Sequence, residues 1–296
     1  MFVTSGVPQG SIIAPILFKI FINDLLEHSF YSKIYAFADD IKIVGRPGIE
    51  LQSDIDFVVN WVAKNGMLIK IDKCQILHAG TSNVKLPYAI NETMLPSVPC
   101  IKDLGLIFDS DFKFLNHVTA LRTKCLRLTG LVFKLFYYRK PELYLKFYRT
   151  YILPLIDYGS LLFAGTSVSV DKIIEKIQKT FTRRLYMRVF KTSLVPTYSD
   201  RLLTFEIESL KTRYIKQELI FIYRFKTGLF RFNNWHLNCS SRHPNRLILP
   251  MINTSRYRSC FMIRPLSHWN KLIPDDRTFK SLSDFKRFLN SLNFDS

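Results

Sequence analysis

The sequence is short of the features that mark secreted and membrane-spanning proteins. Its five cysteines are scattered and form no Cys-x-x-Cys pair, which argues against a disulfide framework and favours a reducing compartment. Lys19 and Asn23 interrupt the most apolar stretch, 11–26, so no apolar run reaches the roughly 18 residues of a membrane-spanning helix. No signal peptide is recognisable after Met1. These absences predict an intracellular protein, in the nucleus or the cytoplasm.

Acidic residues are also scarce. The chain has 42 Lys and Arg against 24 Asp and Glu, a net charge of +18, and the basic residues are spread along its whole length. Such a balance indicates a folded surface that meets a polyanion, with nucleic acid favoured over an anionic membrane. Hydrophobic residues make up 48% of the 296 residues, enough for packed cores in about two domains.

A zinc cluster has little support. His236, Cys239 and His243 have suitable side chains and spacing, but structural zinc needs four ligands. No fourth ligand lies close by in the sequence, so zinc is disfavoured.

Hydrophobic periodicity predicts an α/β segment up to about residue 115. The expected elements are a buried helix over 11–26, two strands within 33–44, a helix over 48–67, short strands at 67–69 and 75–77, and a hairpin over 102–114 with its turn at 109–111.

After residue 115 the apolar spacing becomes helical. Helices are predicted over about 116–135, 171–189, 208–225 and 283–292. Two of them carry basic residues away from their apolar stripes: Arg122, Lys124, Arg127, Lys176, Lys179 and Arg183. Such faces are usually only solvated, but acids are too few here to pair with them.

An acidic pair, Asp39 and Asp40, lies between the strand-like runs 34–37 and 41–44. Buried charge is costly without a partner, and carboxylates are ligands that Mg²⁺ prefers. A solvated turn is the ordinary alternative. The flanking strands favour a tight turn that presents both carboxylates to a cleft, where a metal-assisted phosphoryl transfer could occur.

A glycine-containing segment, Gly6–Ser11, precedes the first predicted helix. Its glycines allow a backbone to approach a ligand closely, and Gln9 offers both a donor and an acceptor. A plain helix-entry turn capped by Ser11 is the alternative.

Taken in order, these segments resemble the palm and thumb of reverse transcriptases from non-LTR (LINE-type) retrotransposons. The Phe-Ala-Asp-Asp form of the acidic motif is common in that family. The resemblance rests on an ordered series: 6–18, 22–25, 37–40, 65–69 with 73–74, 102–108, His117, 151–154 with 157–159, Glu175 with 178–179, 198–202, and 256–258 with 269–270.

The resemblance implies roles for individual residues. Asp39 and Asp40 would be catalytic ligands of Mg²⁺ or Mn²⁺, and Lys73 would help to protonate the leaving pyrophosphate. The segment Leu104-Gly105-Leu106 would form the primer grip. Pro8, Gln9, Gly10 and Phe37 would border the nucleotide and template, and the basic helices would follow the nucleic-acid backbone. The expected partners are an RNA template, a DNA primer and a dNTP.

The resulting expectation is an α+β fold in three parts. Residues 1–115 would be a partial palm, an antiparallel sheet with helices; 116–230 a helical thumb; and 231–296 a C-terminal region of unassigned role. The predicted function is an RNA-directed DNA polymerase domain. A non-catalytic nucleic-acid-binding remnant and a group II intron maturase-like enzyme are the alternatives.

Two departures from the family pattern bear on activity. Lys70 stands where the family has Asn, which could alter a local turn. The chain also begins too late to include the strand that supplies the family's first metal-binding Asp. We therefore expect little polymerase activity from this chain alone, and an exposed sheet edge in its palm.

Overall fold

The structure is a computed structural model, and it describes residues 10–80, 82–232, 236–241, 243, 245–251, 254–274, 277–292 and 294. The chain divides into two compact units. The first comprises Met1–Ile101 and Asp109–Phe112, and the second comprises Lys102–Phe108 and Lys113–Ser296. The boundary therefore crosses one hairpin twice, after residue 101 and after residue 108.

The first unit is built around one hairpin and two helices. Helix α1 spans Ala14–Glu27, strands β1 and β2 span Lys33–Phe37 and Asp40–Val44, and helix α2 spans Ile49–Lys64. A 3₁₀ turn at Ile71–Lys73 follows, then the short strands β3, Ala89–Ile90, and β4, Thr93–Met94.

A small apolar core joins these elements. Buried residues of α1 and α2, such as Leu25 and Trp61, pack with the inward face of the hairpin. Polar groups at the edge of this core are satisfied: the Trp61 indole N–H donates to Asp24, and buried Asp54 accepts backbone N–H groups of Tyr31 and Ser32. The unit therefore holds the hairpin on one side only.

The second unit is mainly helical. It contains most of the hairpin formed by β5, Cys100–Asp103, and β6, Leu106–Asp109. The helices that follow are α3 Leu115–Leu135, α4 Pro141–Phe147, a π-helical turn at Tyr148–Ile152, α5 Leu153–Asp157, α6 Ser160–Phe163, α7 Val168–Phe190, α8 Tyr198–Thr204, α9 Leu210–Lys226, α10 Ser255–Ser259, α11 Arg264–Leu272 and α12 Leu282–Ser291.

Two apolar clusters hold this unit. Helices α3 and α7 pack together around residues such as Cys125, Ile177 and Phe181. Helices α9, α11 and α12 pack around Trp269 and Phe285. Long amphipathic helices with one apolar stripe bury it against one another, which is why this part of the chain needs little sheet.

The C-terminal helices are fastened to α9 by a buried carboxylate. Glu218 accepts from Arg264 Nε at 2.5 Å and lies 2.6 Å from His268 Nδ1. Arg264 also donates to the Leu161 carbonyl at 3.1 Å. Breaking a buried pair by removing one partner is costly, so Glu218 links α9 to α11, and Arg264 extends the link to α6.

The α+β class is confirmed at a coarse level, but the sheet differs from expectation. The described strands form three separate two-stranded antiparallel sheets, not one palm sheet. The predicted strand at 67–69 is wrong, because α2 stops in a Schellman turn at Gly66 and leaves these residues without a strand partner. Ile76 forms a single bridge to Ser97 instead of a strand.

The predicted hairpin turn at 109–111 is also wrong. The chain reverses at Leu104 and Gly105, whose φ values are 44° and 84°. Positive φ at both central residues marks a type I′ turn, which matches the twist of a hairpin. Residues 110–111 form a second turn after β6. No helix in the described part of the chain is both long and apolar enough to cross a membrane.

Phe181→Ala tests the core of the second unit. Phe181 is fully buried, and its truncation should lower the free energy of unfolding by about 3–5 kcal/mol. Phe190→Ala on the same helix is the matched control, because this ring is 49% exposed and its loss should cost about 1 kcal/mol or less. Equal losses in chemical denaturation would contradict this packing.

Candidate active site

The acidic pair lies at the tip of the β1–β2 hairpin. Phe37 pairs with Asp40, so Ala38 and Asp39 are the two central residues of the turn. Ala38 has a φ of 52°, a left-handed conformation that costs a non-glycine residue about 1–2 kcal/mol. Both carboxylates are exposed, so a cation can reach them from solvent.

The register decides what surrounds the pair. Ile34 pairs with Ile43 and Ala36 with Ile41, and all four pack on the core. Because side chains alternate between faces of a strand, Phe37 and Asp40 belong to the opposite face. Phe37 is 61% exposed there. An open face therefore carries one carboxylate beside one aromatic ring.

The residues present fit a divalent cation in part. Mg²⁺ is commonly held by one or two carboxylates, with substrate phosphates and water completing an octahedron, and Asp39 and Asp40 can supply that part. Within the described ranges, no three His, Cys, Asp or Glu side chains are grouped closely enough to hold a metal ion. Further ligands must come from substrate, water or other protein residues.

The other predicted site residues of the first unit are placed as follows. Gly10 has a φ of 83° and open space where a Cβ would lie, so a ligand can approach its backbone. Lys73 ends the 3₁₀ turn with its side chain exposed, and its N–H donates to the Lys70 carbonyl at 3.0 Å. Pro8 and Gln9 lie outside the described residues.

The predicted primer grip is the turn of the β5–β6 hairpin. The Tyr158 hydroxyl donates to the Leu104 carbonyl at 2.5 Å, and the Tyr158 ring lies 3.4 Å from where a Cβ on Gly105 would be. The Ile107 N–H donates to His117 Nδ1 at 3.3 Å, which assigns His117 a structural contact.

Gly159 gives the hairpin its closest support. It has a φ of 72°, and a Cβ added there would lie 2.6 Å from Leu106 Cδ2. The neighbouring Asp157 is clamped by two hydrogen bonds from Arg213, at 2.8 and 2.6 Å. The sequence places Tyr158 and Gly159 only in the family-like segment 157–159 and predicts no role for them. The sequence signal that could have identified them as hairpin supports is an aromatic residue directly before a turn glycine.

The predicted nucleic-acid backbone contacts lie on α3 and α7. Lys124 and Arg127 on α3 are exposed and three residues apart, so they share a face of that helix. On α7 the same holds for Lys176, Lys179 and Arg183.

Arg122 differs from the other five basic residues. It is half-buried, and its Nε is buried without a hydrogen-bond partner among the described residues. It is therefore less accessible to a phosphate group than the exposed cations are.

Comparison with known proteins bears on this arrangement. Residues 1–141 match the family model "Reverse transcriptase (RNA-dependent DNA polymerase)". This segment includes the acidic hairpin and the β5–β6 turn. Residues 1–141 are therefore similar to reverse transcriptases.

Several of the relatives are named as polymerases of mobile elements. The chain is 25% identical over 228 residues to the RNA-directed DNA polymerase from mobile element jockey of Drosophila melanogaster, covering 68% of this chain and 25% of that protein. It is 27% identical over 201 residues to the probable RNA-directed DNA polymerase from transposon X-element of the same species, covering 61% and 22%.

A third relative is the Pol polyprotein from type-1 retrotransposable element R1 2 of Nasonia vitripennis, 31% identical over 134 residues, which is 40% of this chain and 33% of that protein. The chain thus spans about a quarter of the jockey polymerase. No solved structure was found to match it.

Gly159→Ala tests the support of the primer-grip hairpin. The new Cβ adds a clash with Leu106 to the strain of a positive φ, so the free energy of unfolding should fall by about 2–4 kcal/mol. Gly228→Ala is the matched control, since Gly228 has a φ of 71° but nothing within 4 Å of a new Cβ. It should cost only about 1–2 kcal/mol. Indistinguishable losses would show that Leu106 does not rest against Gly159.

Proposed function

We propose that this chain supplies the metal-binding, primer-positioning and backbone-binding parts of an RNA-directed DNA polymerase. The observation that carries the proposal is the position of Asp39 in a two-residue turn and of Asp40 at the start of the next antiparallel strand, inside the segment that matches the reverse transcriptase family. The partners are an RNA template, a DNA primer and a dNTP.

Mg²⁺ or Mn²⁺ is the proposed cofactor of the acidic hairpin. A divalent cation held by Asp39 and Asp40 would supply electrostatic stabilisation of the charge that develops on the transferred phosphoryl group. Asp39 and Asp40 would hold this cation, and the exposed tip leaves room for triphosphate oxygens as further ligands. Lys73 is proposed to give a proton to the leaving pyrophosphate.

Substrate positioning is assigned to the neighbouring motifs. Phe37 shares the open hairpin face with Asp40 and is proposed to contact the nucleotide, while Pro8, Gln9 and Gly10 would border the template. Leu104, Gly105 and Leu106 would hold the primer end, because their turn has a defined conformation and backing from Tyr158 and Gly159. A fixed primer end favours in-line attack.

Backbone binding is assigned to the exposed cations of α3 and α7. Lys and Arg neutralise phosphates without reading sequence, which suits a polymerase that moves along any template. Arg122, which is half-buried, is also proposed to bind the nucleic-acid backbone. We also propose that the domains divide after residues 115 and 230, and that the protein is located inside the cell.

A non-catalytic nucleic-acid-binding role is the second candidate. It is favoured by the lack of a third metal-binding side chain near Asp39 and Asp40 in the described ranges. Under this proposal the basic helices still bind template and primer, but no nucleotide is added. The maturase-like alternative is less favoured, because the relatives named above come from mobile elements.

Metal binding tests the acidic hairpin directly. With template–primer and dNTP present, Asp39→Asn or Asp40→Asn should weaken Mn²⁺ binding about tenfold or more, because each removes a ligand charge. Electron paramagnetic resonance titration of free Mn²⁺ measures this. Asp56→Asn on α2 is the control, since Asp56 is also exposed, and it should bind as the unaltered chain does. If Asp39→Asn and Asp40→Asn bind Mn²⁺ as tightly as the Asp56→Asn control does, the metal assignment is wrong.

Primer extension by the 296-residue polypeptide separates the two candidate functions. Asp39 and Asp40 alone hold a cation weakly, so we expect little or no extension with Mg²⁺ or Mn²⁺ on an RNA template. Gel shift of the same template–primer should nevertheless show binding. Extension that is abolished by Asp40→Asn would instead establish catalysis by this chain itself.

Salt dependence tests the basic helix. Replacing Lys176, Lys179 and Arg183 together by Ala should flatten the slope of log K against log salt by about 2–3, since each lost phosphate contact removes close to one released counterion. The matched control replaces the exposed residues Lys271, Lys280 and Lys286, which changes the net charge equally. If both triple variants change the slope alike, only the net charge matters.

A further inference from the structure

The loop between α3 and α4, residues 136–140, holds two tyrosines out in solvent. Tyr137 is 77% exposed and Tyr138 is 70% exposed. Neither ring belongs to an apolar cluster of the second unit. Scattered apolar residues are common on surfaces, but two adjacent exposed aromatic rings call for a physical reason.

The backbone beneath these rings is held firmly. The hydroxyl of buried Tyr144 lies 2.6 Å from the Phe136 carbonyl and 3.0 Å from the Tyr138 carbonyl, and donates to one of them at a time. Arg188 Nη1 donates to the Phe136 carbonyl at 2.9 Å, and its Nη2 to the Phe133 carbonyl at 2.9 Å. The rings are therefore exposed on a fixed backbone.

One of the rings is also approached by a cation. The guanidinium carbon of Arg188 lies 5.6 Å from the centroid of the Tyr137 ring, within the range of a cation–π contact. Arg188 is oriented by its two carbonyl bonds, so it restrains the ring while most of the ring surface stays open. A restrained, open aromatic face loses little conformational entropy when a flat partner stacks on it.

The surrounding charge is positive. Lys134, Arg139 and Lys140 are exposed and form no salt bridge with any residue that the structure describes. Glu142 is the only acidic residue between positions 122 and 149. An anionic partner is therefore favoured over a neutral one.

We infer that Tyr137 and Tyr138, with Lys134, Arg139 and Lys140, form a stacking platform for unpaired bases of single-stranded nucleic acid. Aromatic rings stack on bases of any identity, and neighbouring cations bind the phosphates between them. A duplex hides its base faces, so the platform discriminates single strands from duplexes. The inference deepens the proposed function: it adds a site for an unpaired strand to the duplex-tracking faces of α3 and α7.

The test compares two labelled probes on the full chain by fluorescence anisotropy. The probes are an unstructured single-stranded oligouridine and an RNA–DNA duplex of equal length. Tyr137→Ala with Tyr138→Ala should weaken binding of the single strand about tenfold or more, as expected for losing base–aromatic stacking. Duplex binding should change less than about threefold, because the cations remain.

Two variants serve as controls. Tyr137→Phe with Tyr138→Phe keeps both rings and should restore single-strand binding to near the original level. Tyr31→Ala removes an equally exposed ring, 78% exposed, from the first unit, and should have no effect. Circular dichroism should be unchanged in all variants, because the replaced side chains lie outside the cores.

The outcomes distinguish this inference from the proposed function. If the unaltered chain binds neither probe, nucleic-acid binding itself fails, and the inference fails with it. If it binds both probes and the double Ala variant binds the single strand as well as before, only the platform is overturned. An equal loss of binding to both probes in the double Ala variant would also overturn it. So would a double Ala variant that loses only its binding to anionic phospholipid vesicles, or only its self-association.

Discussion

The location of the two carboxylates depends on how one face of a hairpin packs. Side chains on a strand alternate between faces, so a slip of one residue would turn Ile34, Ala36, Ile41 and Ile43 from the core into solvent. Their packing against α1 and α2 therefore excludes the slipped register. The accepted register leaves Ala38 and Asp39 in the turn, despite the positive φ at Ala38.

The conformation of the β5–β6 hairpin also depends on packing, but different residues support it. The β5–β6 turn is shaped by its own left-handed residues, Leu104 and Gly105, and then backed by Tyr158 and Gly159. The turn and its backing are more than 50 residues apart in sequence and lie in one compact unit. The segment proposed to hold the primer is thus stabilised by the helical part of the chain.

Local patterns were sufficient to predict many elements. The apolar spacing predicted α3, α7 and α12 to within a few residues, because an amphipathic helix needs only its own sequence to show its buried face. The bounds of α1 were also close, but the prediction that it is a buried helix was wrong, because only Ile22 and Leu25 are buried and residues such as Ile20 are exposed. The turn beside Asp39 was predicted as well, since short apolar runs flank it on both sides.

Some predictions from sequence failed because the structure there depends on contacts between distant residues. Residues 245–247 show no apolar period because side chains of α11 hold them: Asn270 exchanges two hydrogen bonds with Leu247, and the Trp269 indole donates to the Asn245 carbonyl. The turn at Gly105 was missed for a different reason, because the acidic residues 109–111 gave the more obvious turn signal. Aspartate and serine favour turns in general, whereas a type I′ turn depends on glycine or asparagine at left-handed positions.

We propose that Asp39 and Asp40 bind a divalent cation in an RNA-directed DNA polymerase. The most direct test replaces Mg²⁺ with Fe²⁺ in a complex of the chain with template–primer and dNTP, and adds ascorbate and peroxide. Hydroxyl radicals formed at bound Fe²⁺ cut the nearby backbone, and mass spectrometry locates the cuts. We predict cleavage around the turn at Ala38 and Asp39 that excess Mg²⁺ suppresses. Cleavage elsewhere only, or none, would contradict the claim.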